Sequence, residues 1–89
     1  TYQQPSTGAP QPTGYTVRSL ANVNMRGGPS IAYGIVYRLP FGRTAEIVGR
    51  NTAATWWQVR YNGFTGWVSG AYALPNPGTD ISRIPVTLP

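Results

Sequence analysis

The chain has 89 residues, about one small domain's worth. Gly 11 and Pro 9 together exceed a fifth of it, which argues against a helical bundle and for short strands joined by tight turns. It contains no Cys, His or Lys. Its seven basic residues are all arginine, its only acids are Glu46 and Asp80, and the formal charge is +5.

These absences remove whole classes of chemistry. A zinc site needs thiolates, imidazoles or several carboxylates, and none can be assembled. Cys–His and Ser–His nucleophiles would lack their base, a Ser–Lys dyad its lysine, and arginine does not deprotonate in proteins. A glycosidase pair would have to be Glu46 with Asp80, and Asp80 falls in a turn-rich tail. The chain is therefore expected to be non-catalytic and to require no cofactor or metal. Its charge favours anionic partners. The arginines stand at 18, 26, 38, 43, 50, 60 and 83, never closer than five residues, so any basic patch must be assembled by the fold. No stretch approaches the roughly 18 apolar residues of a membrane span, and no signal-peptide pattern opens the chain. With no initiator Met, the chain is expected to be a piece of a longer protein.

In chain order, residues 1–14 (T-Y-Q-Q-P-S-T-G-A-P-Q-P-T-G) carry one aromatic and no charge and read as a linker. Residues 15–74 form the folded unit. Within it, residues 15–20 and 23–26 make a first extended arm, with Val17, Val23 and Met25 facing inward. Gly27-Gly28-Pro29-Ser30 forces a corner, which Arg26 is suited to hold by donating to carbonyls. Residues 34–39 form a strand closed by Pro40-Phe41-Gly42, and residues 44–49 alternate with Ala45 and Ile47 inward. Residues 56–61 form a strand ending at Asn62-Gly63, the pair most favoured in a two-residue type I′ hairpin, and residues 64–68 return along it. From Pro75 the punctuation resumes as P-N-P-G-T-D. Residues 75–89, with scattered Ile81, Ile84, Val86 and Leu88, read as a second linker or a lead-in to a following module. The expected architecture is all-β: a small barrel of five to six short antiparallel strands with flexible tails.

The same residues carry a family resemblance. N-M-R-G-G-P-S at 24–30 resembles the N-V-R-S-G-P-S signature of bacterial Src-homology-3 (SH3) domains. Leu39 and Gly42 match the family's L-x-x-G turn, and Ala45, Ile47 and Gly49 its V-x-V-x-G strand. Trp56-Trp57-Gln58-Val59-Arg60 is similar to W-Y-K-V-R, Asn62-Gly63 is the hairpin, and Gly66-Trp67-Val68 is the G-W-V leading to Tyr72 and Leu74. The departures are Met25 for Val, Phe41 where Lys is common, and a long turn at 51–55. The resemblance implies an SH3-like barrel and a binding module of an exported, extracellular or envelope-bound bacterial protein, recognising peptidoglycan or cell-wall peptides while chemistry is done elsewhere.

Strand alternation divides the tryptophans: Trp57 with Val59 faces the core, and Trp56 with Gln58 and Arg60 faces away. Residues 66–72 also resemble the G-Y-I-P-S-N-Y of eukaryotic SH3 domains, where the matching Trp and last Tyr line the peptide groove. That nominates Trp56 and Tyr72 as ligand residues, with Ser69 in the place of the groove proline. Tyr33 and Tyr37 are two further candidates, since aromatic rings with a polar tip suit half-exposed walls as well as barrel caps. Trp67 is expected to cover one barrel end and Tyr61 to pack across strands. The expected partner is a wall or other peptide ligand, the alternative being neighbouring domains of the same chain. Nucleic acid is disfavoured, and the isolated domain is expected to be a monomer.

Overall fold

A computed structural model describes residues 13–88. It contains β1 (Thr16–Ser19), β2 (Val23–Arg26), β3 (Ile35–Leu39), β4 (Thr44–Arg50), β5 (Trp56–Tyr61), β6 (Phe64–Ser69), β7 (Ala73–Pro75) and one 3-10 turn, Ile81–Arg83. None of these elements is a helix long and apolar enough to cross a membrane.

The period of two dictates what each strand buries. In β1, Val17 and Ser19 face inward and Arg18 outward; in β2, Val23 and Met25 are buried between half-exposed neighbours. β4 breaks the rule. A register shift between Ile47 and Gly49 against β5 puts Ile47, Val48 and Gly49 out of solvent in succession, as a β-bulge does. At the β5–β6 turn Asn62 and Gly63 both take positive φ, 53° and 82°, the conformation a type I′ hairpin requires. The pairing then runs without interruption from Tyr61↔Phe64 back to Trp56↔Ser69.

The strands form one antiparallel sheet in the order β3-β2-β6-β5-β4-β1-β7, curved around a single core in the manner of a small SH3-like barrel, with β3 and β7 as unpaired edges. The core holds Val17, Met25, Leu39, Ile47, Trp57, Val59, Val68 and Ala73. Each large aliphatic so buried contributes roughly 1.5–3 kcal/mol. The seventh strand exceeds the expected five or six because β7 is only three residues long and ends in proline, too short to display an alternation. It is nonetheless the partner of β1, through Val17↔Pro75 to Ser19↔Ala73.

Two polar side chains organise the turns. Buried Ser19 donates its hydroxyl to the Pro40 carbonyl and accepts from the Arg43 N–H at 2.9 Å, fastening the β3–β4 turn to β1. Asn51 accepts at Oδ1 from the N–H groups of Thr55 (2.8 Å) and Trp56 (3.0 Å), which sets where β5 begins.

The chain after β7, read from its composition as a linker or lead-in, returns to the barrel. Arg50 N–H donates to Pro85 O and Thr87 N–H to Arg50 O, making a short parallel bridge beside β4. Ile84 is only 1% exposed and joins the core. Thr87 Oγ1 meets Gln58 Oε1 at 2.7 Å, lying where a side chain on Gly49 would otherwise stand. Local composition does not reveal this docking because its partners are more than 25 residues away in sequence. Of the first tail, Thr13 donates to Ile47 O, and residues 1–12 lie outside the described residues.

Candidate functional site

The adjacent tryptophans on β5 have opposite fates. Trp57 is 3% exposed, and its indole N–H donates to the Ala73 carbonyl at 3.1 Å. Trp56 points the other way and stays half-exposed at the start of the strand, where Asn51 holds its backbone. Opposite it in register stands Ser69, from which the chain turns through residues 69–72. Tyr72 N–H donates to Ser69 O, Gly70 N–H to Thr55 O, and Leu20 N–H to Tyr72 O, so the turn is tied to both the residue preceding β5 and the loop after β1. Tyr72 consequently projects from a fixed backbone with 56% of its surface exposed.

Trp56 and Tyr72 wall a single cleft of about 140 Å³ that Ser69, Asn22, Arg26 and Ile31 complete. A second, wider cleft of about 370 Å³ is lined by Ala54, Leu74 and Pro75, and it too includes Ser69. Trp56 thus borders both hollows. Arg26 is the sole charged side chain in the first cleft. Its guanidinium Nη1 donates to the carbonyls of Tyr33 (2.9 Å) and Ile31 (3.3 Å), holding the β2–β3 loop in the corner-bracing role the sequence suggested.

The structure does not bring Tyr33 and Tyr37 into this cleft. Tyr33 lies over Gly28, where a Cβ would sit about 2.4 Å from the ring, so a glycine is required for the loop to close on it. Tyr37 stacks on Phe64, ring centroids 4.3 Å apart and planes 12° from parallel, with Tyr61 at 6.1 Å. Its hydroxyl accepts from Asn62 Nδ2 at 3.1 Å. This aromatic group caps the hairpin end of the barrel, the cross-strand role expected of Tyr61. Trp67, expected over a barrel end, is buried in β6 opposite Arg26 and Gln58 in register, its indole Nε1 without a partner among the described residues.

The electrostatics of the cleft are simple. Neither carboxylate lines it: Glu46 pairs in register with Thr16 and Arg60, and Asp80 lies in the C-terminal segment. There the Ser82 hydroxyl hydrogen bond, aided by the Ser82 N–H and Arg83, outweighs desolvation and holds the Asp80 carboxyl below the ordinary range. Among the described residues no three His, Cys, Asp or Glu side chains gather to cage a metal. Two aromatic rings, two aliphatic side chains, two amides and the Ser69 hydroxyl give the cleft both apolar contact and hydrogen-bonding groups with which to grip a ligand.

Sequence reasoning missed Asn22, Ile31 and Asn51. Asn22 lines the cleft while its Oδ1 accepts from the Phe41 N–H at 2.9 Å, a contact across 19 residues that no local pattern signals. Asn51 acts from the long turn at 51–55, whose length was the one available hint.

No curated protein matches this chain. The bacterial SH3 domain family matches residues 21–73, more than half of its length and the whole span that builds the cleft. The chain belongs to the bacterial SH3 domain family, whose members are in general binding modules that carry no chemistry of their own.

Proposed function

We propose that this domain is a targeting module of an exported bacterial protein and that it holds an extended segment of cell-wall peptide in the Trp56–Tyr72 cleft. The observation that carries the reading is the convergence of those two rings, 16 residues apart in sequence, on one hollow with Ser69 between them. Rings with polar tips suit a concave, half-wet site, where they supply contact area at low cost in side-chain entropy.

The chemistry of the cleft narrows the ligand. With no carboxylate to pair a cation and with serine in the groove-proline position, it is poorly suited to basic polyproline segments. A wall stem peptide offers short alanine side chains and free carboxylates, which suit a small cleft edged by amides and one arginine. A tethered module of this kind concentrates its companion domain at the wall, so modest affinity suffices.

The test is a titration of purified muropeptides followed by tryptophan fluorescence, at low and high salt. Saturable binding that W56A and Y72A each weaken by about tenfold or more, and that salt barely alters, supports the reading. Absence of binding, or binding that disappears at high salt, points instead to an interaction role within the longer chain.

A further inference from the structure

The turn at residues 40–43 is built with more care than an ordinary exposed loop. Ser19 Oγ donates to Pro40 O and receives the Arg43 N–H; Ser19 N–H donates to Arg43 O at 2.9 Å. Gly42 N–H donates to Ser19 O at 3.0 Å, and Phe41 N–H to Asn22 Oδ1 at 2.9 Å. On this fully bonded turn Phe41 stands 67% exposed, and Leu20, next to the anchoring Ser19, is 48% exposed. A lone exposed aromatic needs no explanation. An aromatic held at the apex of a hydrogen-bonded turn, with an exposed leucine next in the chain to the serine that anchors it, does.

Arginines stand on the strands that meet at the same turn. Arg38 and Arg43 flank it in sequence, and Arg18, adjacent to Ser19, pairs with Thr44 in register; all three are exposed. The only acid on the neighbouring strands is Glu46, which lies farther along β4, opposite Arg60. A polyanion in solution would use the arginines alone and leave Phe41 and Leu20 in water. A bilayer takes both: the ring and the aliphatic enter the headgroup boundary while guanidinium groups remain at the phosphates.

We propose that this turn is a docking tip for an anionic phospholipid surface, with Phe41 and Leu20 as the inserted side chains and Arg18, Arg38 and Arg43 as the headgroup contacts. None of these five side chains lines the peptide cleft, although Asn22 borders both sites and the Leu20 N–H donates to Tyr72 O. Each arginine at such a surface is worth about a fivefold change in partitioning.

Co-sedimentation of the chain with vesicles of phosphatidylcholine, with and without phosphatidylglycerol, tests it. Binding is expected only to the anionic vesicles. F41S should lower it about tenfold, R38Q and R43Q about fivefold each, and W56A not at all. F41S keeps every backbone bond of the turn, and an unchanged amide spectrum establishes that it folds. Failure to bind anionic vesicles overturns the proposal. So does a full response in F41S accompanied by complete competition from duplex DNA, which would reduce the patch to unselective attraction of polyanions. An equal loss in W56A also overturns it, by assigning the lipid response to the cleft.

Discussion

The β5–β6 hairpin carries an aromatic group at each end, and the two ends behave differently. At the turn, Tyr37 stacks face to face on Phe64 with Tyr61 tilted beside it, and Asn62 satisfies the Tyr37 hydroxyl. At the open end, Trp56 and Tyr72 face a hollow that no side chain fills. Exposure alone does not separate them, since Phe64 and Tyr72 each keep about half of their surface in water. What separates them is whether the ring faces already have partners. An aromatic that completes a protein–protein stack serves stability, and one left beside a concave gap is available to a ligand.

Substitutions at the two ends test that contrast. The largest effect is expected from W57A, which empties the core and orphans the Ala73 carbonyl. A loss of about 4 kcal/mol should leave the domain largely unfolded by near-UV circular dichroism. I84A, outside the family match, should cost about 3 kcal/mol in urea denaturation; a near-neutral result would mean the C-terminal segment does not dock in solution. W56A should leave stability within about 0.5 kcal/mol and weaken muropeptide binding about tenfold, and a stability loss comparable to that of W57A would erase the distinction between the two tryptophans. Y37A should do the reverse, costing about 1 kcal/mol of stability and leaving peptide affinity unchanged in the same titration.

The smallest effect concerns pH. The carboxyl of Asp80 is lowered in the folded state, so its contribution is present above the unfolded carboxylate range, about pH 4, and fades as pH falls through the folded value. Being fully exposed, it should yield only a slight acid-side difference between the wild type and D80N, measured by thermal unfolding across pH 3–5. A difference that grew instead above pH 6 would contradict the assignment.

Much of the barrel was legible in the sequence because its signals are local. Alternation identified Val17, Val23, Met25, Ala45, Ile47, Trp57 and Val59 as inward, and Asn62-Gly63 set the one hairpin whose geometry two residues decide. Of the cleft, Trp56 and Tyr72 were accessible through strand parity and family pattern. Residues whose meaning depends on distant partners were not. Ser19 in T-V-R-S resembles any strand-end serine until the turn at 40–43 closes on it, and Ile84 is a scattered aliphatic until Arg50 receives the returning chain. Tyr33 and Tyr37 had the right chemistry for a groove, but nothing in their neighbourhood announced that Gly28 and Phe64 would occupy their faces.

The central claim is that ligand recognition resides at the open end of the hairpin. Amide chemical-shift mapping during a muropeptide titration tests it most directly. Saturable shifts are expected to be confined to Trp56, Ser69, Tyr72, Asn22 and their neighbours, with the Tyr37–Phe64 stack silent. Shifts centred on Tyr37, Tyr61 and Phe64 with Trp56 and Tyr72 unmoved would contradict it.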